Sequence, residues 1–256
     1  MIRIESLQAE IEGSRVLNDI NAEFKEGQIS VIIGPNGCGK STTIRSIIRL
    51  VPEAEGTITL NGESLAEYTQ KELARKIAYL PQSRVAGDIE VEKMIMHGRF
   101  PYLGYPRRYR KEDYEIVGRA MEWMGLTELA HRSMENLSGG QRQKVYLAMA
   151  LAQDTEVILM DEPTTYLDIR NQFELLDRAR ALADAGKTII MILHDFEETL
   201  RYADHVVLMK AGGVVCSGTA EEVLGSGHIE EAFGVIPRFY RGEDGLHCYV
   251  MPVSQQ

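Results

Sequence analysis

Apolar and polar residues alternate near the start of the chain. Ile2 and Ile4 begin this alternation, residues 16–24 continue it, and residues 57–60 repeat it before the pair Asn61-Gly62. A period of two is typical of strands with one buried face, and Asn-Gly is a hairpin turn signal. We therefore expect an N-terminal group of antiparallel strands.

Other strands are predicted from apolar runs without alternation. Residues 29–33, 157–160 and 188–193 are almost wholly apolar, as expected of parallel strands covered on both faces. A shorter strand at residues 77–80 ends at Pro81. Helical spacing of apolar residues follows several of these runs. The mixture predicts an α/β fold.

Strand signals are missing from about residue 88 to residue 152. Within this stretch apolar residues recur at helical spacing, namely Tyr114, Val117, Met121 and Met124. We interpret residues of about 83–152 as a helical insert in a core formed by residues 1–82 and 153–224. The tail, residues 225–256, is short, and one strand is expected in it at residues 248–250. The whole chain, 1–256, is thus predicted to be a single domain.

Composition narrows the class of protein. The chain has 256 residues with 44% hydrophobic content, which is enough for a packed core. Its net charge of −10 argues against nucleic acid as a partner, because phosphate backbones are held by clustered cations. A basic cluster at residues 107–111 is too short to reverse this. The three cysteines are widely separated, which favours neither disulfides nor zinc and fits a reducing cytosol. No stretch approaches a membrane span, so any membrane role is expected to be through a partner.

The segment from Gly34 to Ser41 matches the phosphate-binding loop pattern G-x-x-x-x-G-K-[ST] at every fixed position. Lys40 is expected to reach the β- and γ-phosphates of a nucleotide, and the Ser41 hydroxyl to ligate Mg²⁺. Cys38 fills a variable position, yet beside Lys40 and a helix N-terminus its thiolate should be favoured. The predicted ATP-binding residues are Gly34, Pro35, Asn36, Gly37, Cys38, Gly39, Lys40, Ser41 and Thr42.

A second nucleotide element follows the apolar run 157–160. This strand should deliver Asp161 and Glu162 to the carboxyl edge of the sheet, where α/β proteins bind ligands. Asp161 is expected to hold Mg²⁺ through water. Glu162 is expected to polarise the attacking water as general base, a role usually worth ~10²–10⁴ in rate. The alternative is that the two acids only cap a helix.

A third motif is Leu137-Ser138-Gly139-Gly140-Gln141, which alone could be a helix start with Ser138 as N-cap. Taken with the phosphate loop, Gln82, the acid pair and His194, it resembles the signature of the ATP-binding cassette family, since five motifs occur in the family's order. The resemblance covers residues 1–224. It implies a P-loop NTPase core with a mostly parallel sheet, an N-terminal antiparallel β subdomain and an inserted all-helical subdomain.

The resemblance assigns roles to three further residues. It makes Gln82 a sensor of Mg²⁺, water and permease, and so a metal-site and catalytic residue. Asp168 ends the loop that crosses to the other subunit, and His194 is the γ-phosphate switch. Each residue also has a simpler interpretation, as a polar loop residue, a helix N-cap and a histidine at a strand end respectively.

Assembly is implied as well. The family presents residues 137–141 to ATP held by a partner's phosphate loop, so two chains would enclose two ATP molecules. Further implied partners are two transmembrane permease subunits and, indirectly, a substrate-binding protein, with the chain peripheral at the cytoplasmic face of a bacterial inner membrane. Arg99, Phe100 and Tyr102 are predicted to contact the permease; the alternative is that they are core residues.

Finer resemblance comes from residues 98–102, 110–113 and 161–168, which look like ATPase subunits of importers for ferric siderophores, with haem and cobalamin importers next. A soluble cassette ATPase acting on DNA or ribosomes, a P-loop kinase for a small metabolite and an exporter remain rivals. The family's adenine-stacking aromatic is unmatched at Ile11 and Glu12, which predicts loose nucleotide selectivity.

Overall fold

The computed structural model describes residues 1–52, 54–82, 87–243 and 245–253. The strands are β1 (Ile2–Ile11), β2 (Ser14–Phe24), β3 (Ile29–Ile33), β4 (Ala54–Leu60), β5 (Glu63–Ser64), β6 (Ile77–Leu80), β7 (Val157–Met160), β8 (Thr188–Ile192), β9 (His205–Lys210), β10 (Gly213–Gly218), β11 (Val235–Gly242) and β12 (Gly245–Pro252). The helices are α1 (Lys40–Ile47), α2 (Gln70–Leu73), α3 (Val91–Met96), α4 (Lys111–Trp123), α5 (Gly139–Ala152), α6 (Ile169–Asp184), α7 (Phe196–Tyr202), α8 (Ala220–Leu224) and α9 (His228–Phe233).

The chain forms two compact units. The first consists of residues 1–67 and 179–256, and the second of residues 68–178. In the first unit, β1 pairs antiparallel with both β2 and β4, and β4 pairs with β5. Alternate residues of β1, including Ile2 and Ile4, are buried, because one face of this sheet packs on the core. The predicted N-terminal antiparallel strands are therefore confirmed.

A second sheet region of the first unit centres on β3. Strands β8 and β9 flank β3 and run parallel to it, whereas β10 pairs antiparallel with β9. Every residue of β3 and of β8 is buried, which explains why these strands are apolar without alternation. The pairing of Ile32 with Ile192 brings the carboxyl ends of β3 and β8 to the same edge.

The second unit contains the parallel pair β6 and β7, with Leu80 opposite Met160. Among its described residues from 87 to 152 the structure is helix and turn, apart from an isolated bridge between Glu90 and Ser133. Helices α3, α4 and α5 pack on one another through buried residues such as Val91. Residues 83–86, where the predicted helical insert starts, lie outside the described part of the chain.

The C-terminal tail holds more structure than the single predicted strand. Strands β11 and β12 form an antiparallel hairpin, from Val235 opposite Pro252 to Gly242 opposite Gly245. The strand predicted at residues 248–250 lies within β12 and is confirmed. Strand β11 was missed because Pro237 and two arginines interrupt its sequence and conceal its alternation. Within the described ranges, no helix is both long and apolar enough to cross a membrane.

Candidate functional site

The predicted site residues are distributed over both units. The phosphate loop, residues 34–41, and His194 belong to the first unit. Gln82, the acid pair 161–162, the motif 137–141 and Asp168 belong to the second unit. Each group has a geometry of its own.

The phosphate loop joins β3 to α1, as its motif requires. Gly37 and Gly39 have φ angles of 78° and 102°, which favour glycine. A Cβ on Gly34 would lie 2.3 Å from the Met209 carbonyl oxygen and 2.7 Å from the Cys38 sulfur, so no larger residue fits there. The glycines allow a tight backbone loop directly before the N-terminus of α1. Such a loop offers backbone N–H groups and a helix dipole to an anion.

Lys40 is only 5% exposed, and its ammonium group is fixed within the loop. Its Nζ donates hydrogen bonds to the carbonyl oxygens of Gly34 and Pro35, at 2.7 and 3.0 Å. A buried cation held by two carbonyls of a glycine loop fits a phosphate group, which would supply the compensating negative charge. Ser41 and Thr42 follow this lysine in the sequence and belong to the first turn of α1. Both residues are half-buried.

Cys38 departs from the expectation of a reactive thiol. The side chain is 5% exposed, and burial raises the pKa of its thiol even though the Lys40 charge acts in the opposite direction. The prediction of a favoured thiolate is therefore wrong. The helix terminus and the lysine charge were visible in the sequence, but the desolvation that outweighs them was not.

His194 stands at the same sheet edge as the phosphate loop. It is exposed and lies two residues beyond the end of β8, while Gly34 directly follows the paired strand β3. The next residue, Asp195, caps α7, since its carboxylate accepts a hydrogen bond from the Glu198 N–H at 2.8 Å. A strand end on one side and a capped helix on the other thus fix the position of His194.

In the second unit the parallel pair β6 and β7 brings Gln82 and the acids together. The Gln82 side-chain amide donates a hydrogen bond to Glu162 Oε2. Asp161 is fully buried, and the Tyr79 hydroxyl donates to its Oδ2 at 3.2 Å. Thr165 Oγ1 also donates to Glu162, at 3.3 Å. The predicted general base and the predicted sensor are therefore in direct contact.

Glu162 has a φ angle of 51°, in the left-handed region that residues other than glycine rarely adopt. Strain of this kind costs of order 1–3 kcal/mol and is concentrated at functional sites. Oxygen donors from a hydroxyl, an amide and a carboxylate are those that Mg²⁺ prefers, so Ser41, Gln82 and Asp161 have suitable chemistry for that ion.

The motif 137–141 forms the start of α5. Ser138 Oγ accepts a hydrogen bond from the Gln141 N–H at 3.2 Å, and Gln141 Oε1 accepts from the Ser138 N–H at 3.0 Å. This reciprocal pair is a capping box. Leu137 is buried. In contrast, a Cβ added at Gly139 would meet no atom within 4 Å, so the space beside this glycine is open. The backbone N–H groups of the first turn are thus ordered next to an open glycine surface.

Asp168 caps the neighbouring helix α6. Its two carboxylate oxygens accept from the Asn171 N–H and the Asn171 side-chain amide, at 2.9 and 2.7 Å. These hydrogen bonds, the backbone one first, hold the pKa of Asp168 below its ordinary value. A Cβ on Gly140 would lie 2.9 Å from the Asn171 amide nitrogen, so Gly140 permits this close approach. Asn171 therefore connects the start of α5 with Asp168.

The three residues predicted to contact a permease have different surroundings. Arg99 is 5% exposed and forms an ion pair with Asp113 at 2.9 Å. The Tyr102 hydroxyl donates to the Gln153 carbonyl at 2.8 Å, whereas Phe100 is 52% exposed. Arg99 and Tyr102 thus have structural partners within the second unit, and Phe100 has the accessible surface. The coupling role itself stays a prediction.

Sequence reasoning missed Tyr79, Thr165 and Asn171 as neighbours of the predicted site residues. Thr165 and Asn171 lie three residues from Glu162 and Asp168, a spacing at which side chain and backbone meet in turns and helix caps. Tyr79 lies on β6 and becomes a partner of Asp161 only through the strand pairing. Ile11, at the position without an adenine-stacking aromatic, is 41% exposed.

Comparison with known sequences supports the motif analysis. The family model described as "ABC transporter" matches residues 17–165. The chain is 42% identical over 222 residues to the ferric enterobactin transport ATP-binding protein FepC of Escherichia coli (strain K12), covering 86% of this chain and 82% of that protein. It is 40% identical over 226 residues to the iron(3+)-hydroxamate import ATP-binding protein FhuC of Bacillus subtilis (strain 168), covering 87% and 84% respectively.

Two solved structures share the fold. A metal-chelate type ABC transporter in an inward-facing conformation superposes with a TM-score of 0.85 at 24% identity, covering 99% of this chain and 98% of that chain. A nucleotide-free ATP-binding cassette from an ABC transporter gives a TM-score of 0.80 at 24% identity, covering 88% and 94%. The predicted α/β fold class is therefore confirmed.

Proposed function

The chain belongs to the ABC transporter family, and we propose that it is the ATP-hydrolysing subunit of an importer for a ferric siderophore or another iron chelate. The observation that carries the ATPase proposal is the glycine loop that holds Lys40, with His194 at the same sheet edge. The proposed cargo is inferred from relatives at about 40% identity, which are named for ferric enterobactin transport and iron(3+)-hydroxamate import.

The chemistry assigns separate tasks to the described residues. Backbone N–H groups of the phosphate loop and Lys40 bind the phosphates of ATP, and bound Mg²⁺ would neutralise phosphate charge through Ser41, Gln82 and Asp161. Glu162 takes the proton of the attacking water, and its hydrogen bond to Gln82 orients the carboxylate. His194 contacts the γ-phosphate as the switch of nucleotide state.

Assembly follows from the arrangement of α5. Its capped N-terminus is a second anion site, which a partner chain would use to complete the site around its own ATP. We propose a homodimer of ATPase subunits that binds two membrane-spanning permease subunits, and through them a substrate-binding protein, at the cytoplasmic face of a bacterial inner membrane. Residues 1–256 then act as a single domain with residues of about 83–152 as its helical insert.

Rival functions are less consistent with these observations. A small-metabolite kinase would have no use for residues 137–141 or His194. A soluble cassette ATPase acting on DNA or ribosomes is disfavoured by the net charge of −10. Importers of haem or cobalamin use the same ATPase motor, and so do exporters. The transport assay therefore decides the cargo and the direction of transport.

Two substitutions test the ATPase and the dimer. Lys40→Ala should abolish ATP turnover because it removes the phosphate-binding cation. Glu162→Gln should keep ATP binding but block hydrolysis, so dimers should accumulate with ATP in size-exclusion chromatography. A Glu162→Gln protein that stays monomeric with ATP and with permease present would contradict the proposed sandwich.

Transport in proteoliposomes tests the cargo. The parent chain, permease and binding protein should import a ferric siderophore, and the Glu162→Gln variant should import none. Uptake of haem or cobalamin in place of the iron chelate would assign the chain to the corresponding importer.

A further inference from the structure

Residues 104–111, here called the basic loop, form an exposed segment on the second unit. Residues 104–108 are all exposed, and Tyr105 has 101% of the accessible surface of an isolated side chain. Four cations occur among the last five positions, and the loop contains no acid. In a chain of net charge −10, this local excess of positive charge is a distinct surface.

The two ends of the basic loop are held by hydrogen bonds. Leu103 is buried, and its carbonyl accepts a hydrogen bond from Lys71 Nζ at 2.5 Å. At the other end the Arg110 N–H donates to Asp113 Oδ2 at 2.8 Å. Because both ends are anchored to the unit, the residues between them are presented outward at its surface.

Aromatic rings continue this surface beside the loop. The rings of Phe100 and Tyr109 stack with centroids 6.3 Å apart, and Tyr109 meets Tyr114 edge-on at 6.2 Å. Phe100 and Tyr114 are 52% and 53% exposed. Together with the fully exposed Tyr105 they place several accessible aromatic rings next to the cations.

Two arginines of the basic loop, Arg107 and Arg108, are not neutralised by an ion pair within the described part of the chain. Within the described ranges, neither Arg107 nor Arg108 has a hydrogen-bond or ion-pair partner. Lys111 lies 3.6 Å from Glu115, and both side chains are exposed, so this pair contributes little. Among the described residues, no acid therefore lies within ion-pair distance of Arg107 or Arg108.

We propose that the basic loop binds the phosphate-bearing headgroups of an anionic membrane surface, an inference that rests on the proposed membrane-associated function. Exposed arginines pair with phosphates, and tyrosines favour the headgroup layer of a bilayer. Basic clusters of this size bind anionic lipids. At physiological salt the attraction acts within about 8 Å, so the local cluster decides contact and the distant acids are screened.

Vesicle co-sedimentation of the full chain tests this proposal. The parent protein should bind vesicles of phosphatidylglycerol and phosphatidylcholine, should bind pure phosphatidylcholine weakly, and should be released by added salt. Arg107→Gln/Arg108→Gln should reduce partitioning about 30-fold, from roughly 1 kcal/mol per basic residue near the surface. Tyr105→Ala should reduce it less, because it removes interfacial contact but no charge.

Arg119→Gln/Arg132→Gln is the matched control, because both arginines are exposed in the same unit and the variant changes net charge equally. Equal binding of the two double variants, or equal binding of both vesicle types, would overturn the proposal. If the loop variant instead binds vesicles normally but loses the permease in detergent, the partner is an acidic protein segment and the proposal is wrong. ATPase activity without vesicles tests the proposed function separately, so the two failures are distinguishable.

Discussion

Replacing Arg99 with alanine should destabilise the protein rather than remove a surface contact. Arg99 and Asp113 have side chains only 6% and 7% exposed, and they form an ion pair at 2.9 Å. A second guanidinium nitrogen donates to the Ala152 carbonyl at 2.9 Å, and the guanidinium lies 3.9 Å from the Tyr102 ring centroid. Arg99 therefore joins several segments of the second unit.

The magnitude follows from the charge that Arg99→Ala would leave behind. Removing one partner of a buried ion pair costs about 3–5 kcal/mol, because the other charge stays buried and unpaired. For a chain of this size each kcal/mol lowers Tm by about 2–4 °C, so a decrease of roughly 6–20 °C is expected. Arg99→Lys should cost less, because the charge stays although the two-point geometry is lost.

The pH dependence of stability gives an independent readout. Burial alone raises the pKa of Asp113, but hydrogen bonds from the Arg110 N–H and Arg99 and the Arg99 charge outweigh it, so the pKa lies below its ordinary value. A carboxyl group whose pKa is lower in the folded than in the unfolded protein stabilises the fold at pH values above its pKa in the unfolded protein. This stabilisation is lost as the pH falls through the pKa of the group in the folded protein. The parent should lose this contribution below about pH 4, and Arg99→Ala should lose less in that range.

Urea denaturation with a thermal melt is the assay, with Arg119→Ala as the exposed control expected within about 0.5 kcal/mol of the parent. If Arg99→Ala melts with the parent but no longer binds permease, the structural role is refuted and Arg99 is a contact residue.

Three further predictions follow from the site. Maleimide should label Cys38 more slowly than a peptide thiol, because the side chain is buried with a raised pKa; faster labelling would contradict this. Dimers of Glu162→Gln with ATP should tighten from low to moderate salt in sedimentation, because two chains of −10 repel; steady weakening would show that local ion pairs dominate. The free energy of unfolding, measured by urea denaturation, should be about 1–3 kcal/mol lower for Gly140→Ala than for the control Gly139→Ala, because only a Cβ at Gly140 meets Asn171. Equal urea midpoints for the two variants would refute the close approach of Gly140 to Asn171.

Local signals in the sequence predicted most of the elements. The predicted strands 77–80 and 157–160 are present in the structure, and the pair Asn61-Gly62 forms the turn between β4 and β5. Such features depend on neighbouring residues and on period, which a sequence displays directly. Tyr114 has the spacing of a core residue yet is 53% exposed, because periodicity shows which residues share a face but not which part of that face is covered.

Contacts that depend on tertiary packing were beyond the sequence. Arg99 stands beside Phe100 in an exposed-looking aromatic stretch, yet its guanidinium is buried against Asp113, fourteen residues along the chain. The opposite effects of burial and charge on Cys38 were equally undecidable, since the balance depends on desolvation.

Caps and functional motifs coincide in this protein. Ser138 and Asp168 each fit the simpler interpretation of a helix N-cap, and the structure shows both caps. The caps do not exclude the motif roles, because a cap side chain binds only part of a helix N-terminus and leaves other N–H groups of the first turn for an anion. At α5 the open surface at Gly139 keeps those groups accessible. A capped helix start with an uncovered glycine is therefore what an anion site supplied to a second chain requires.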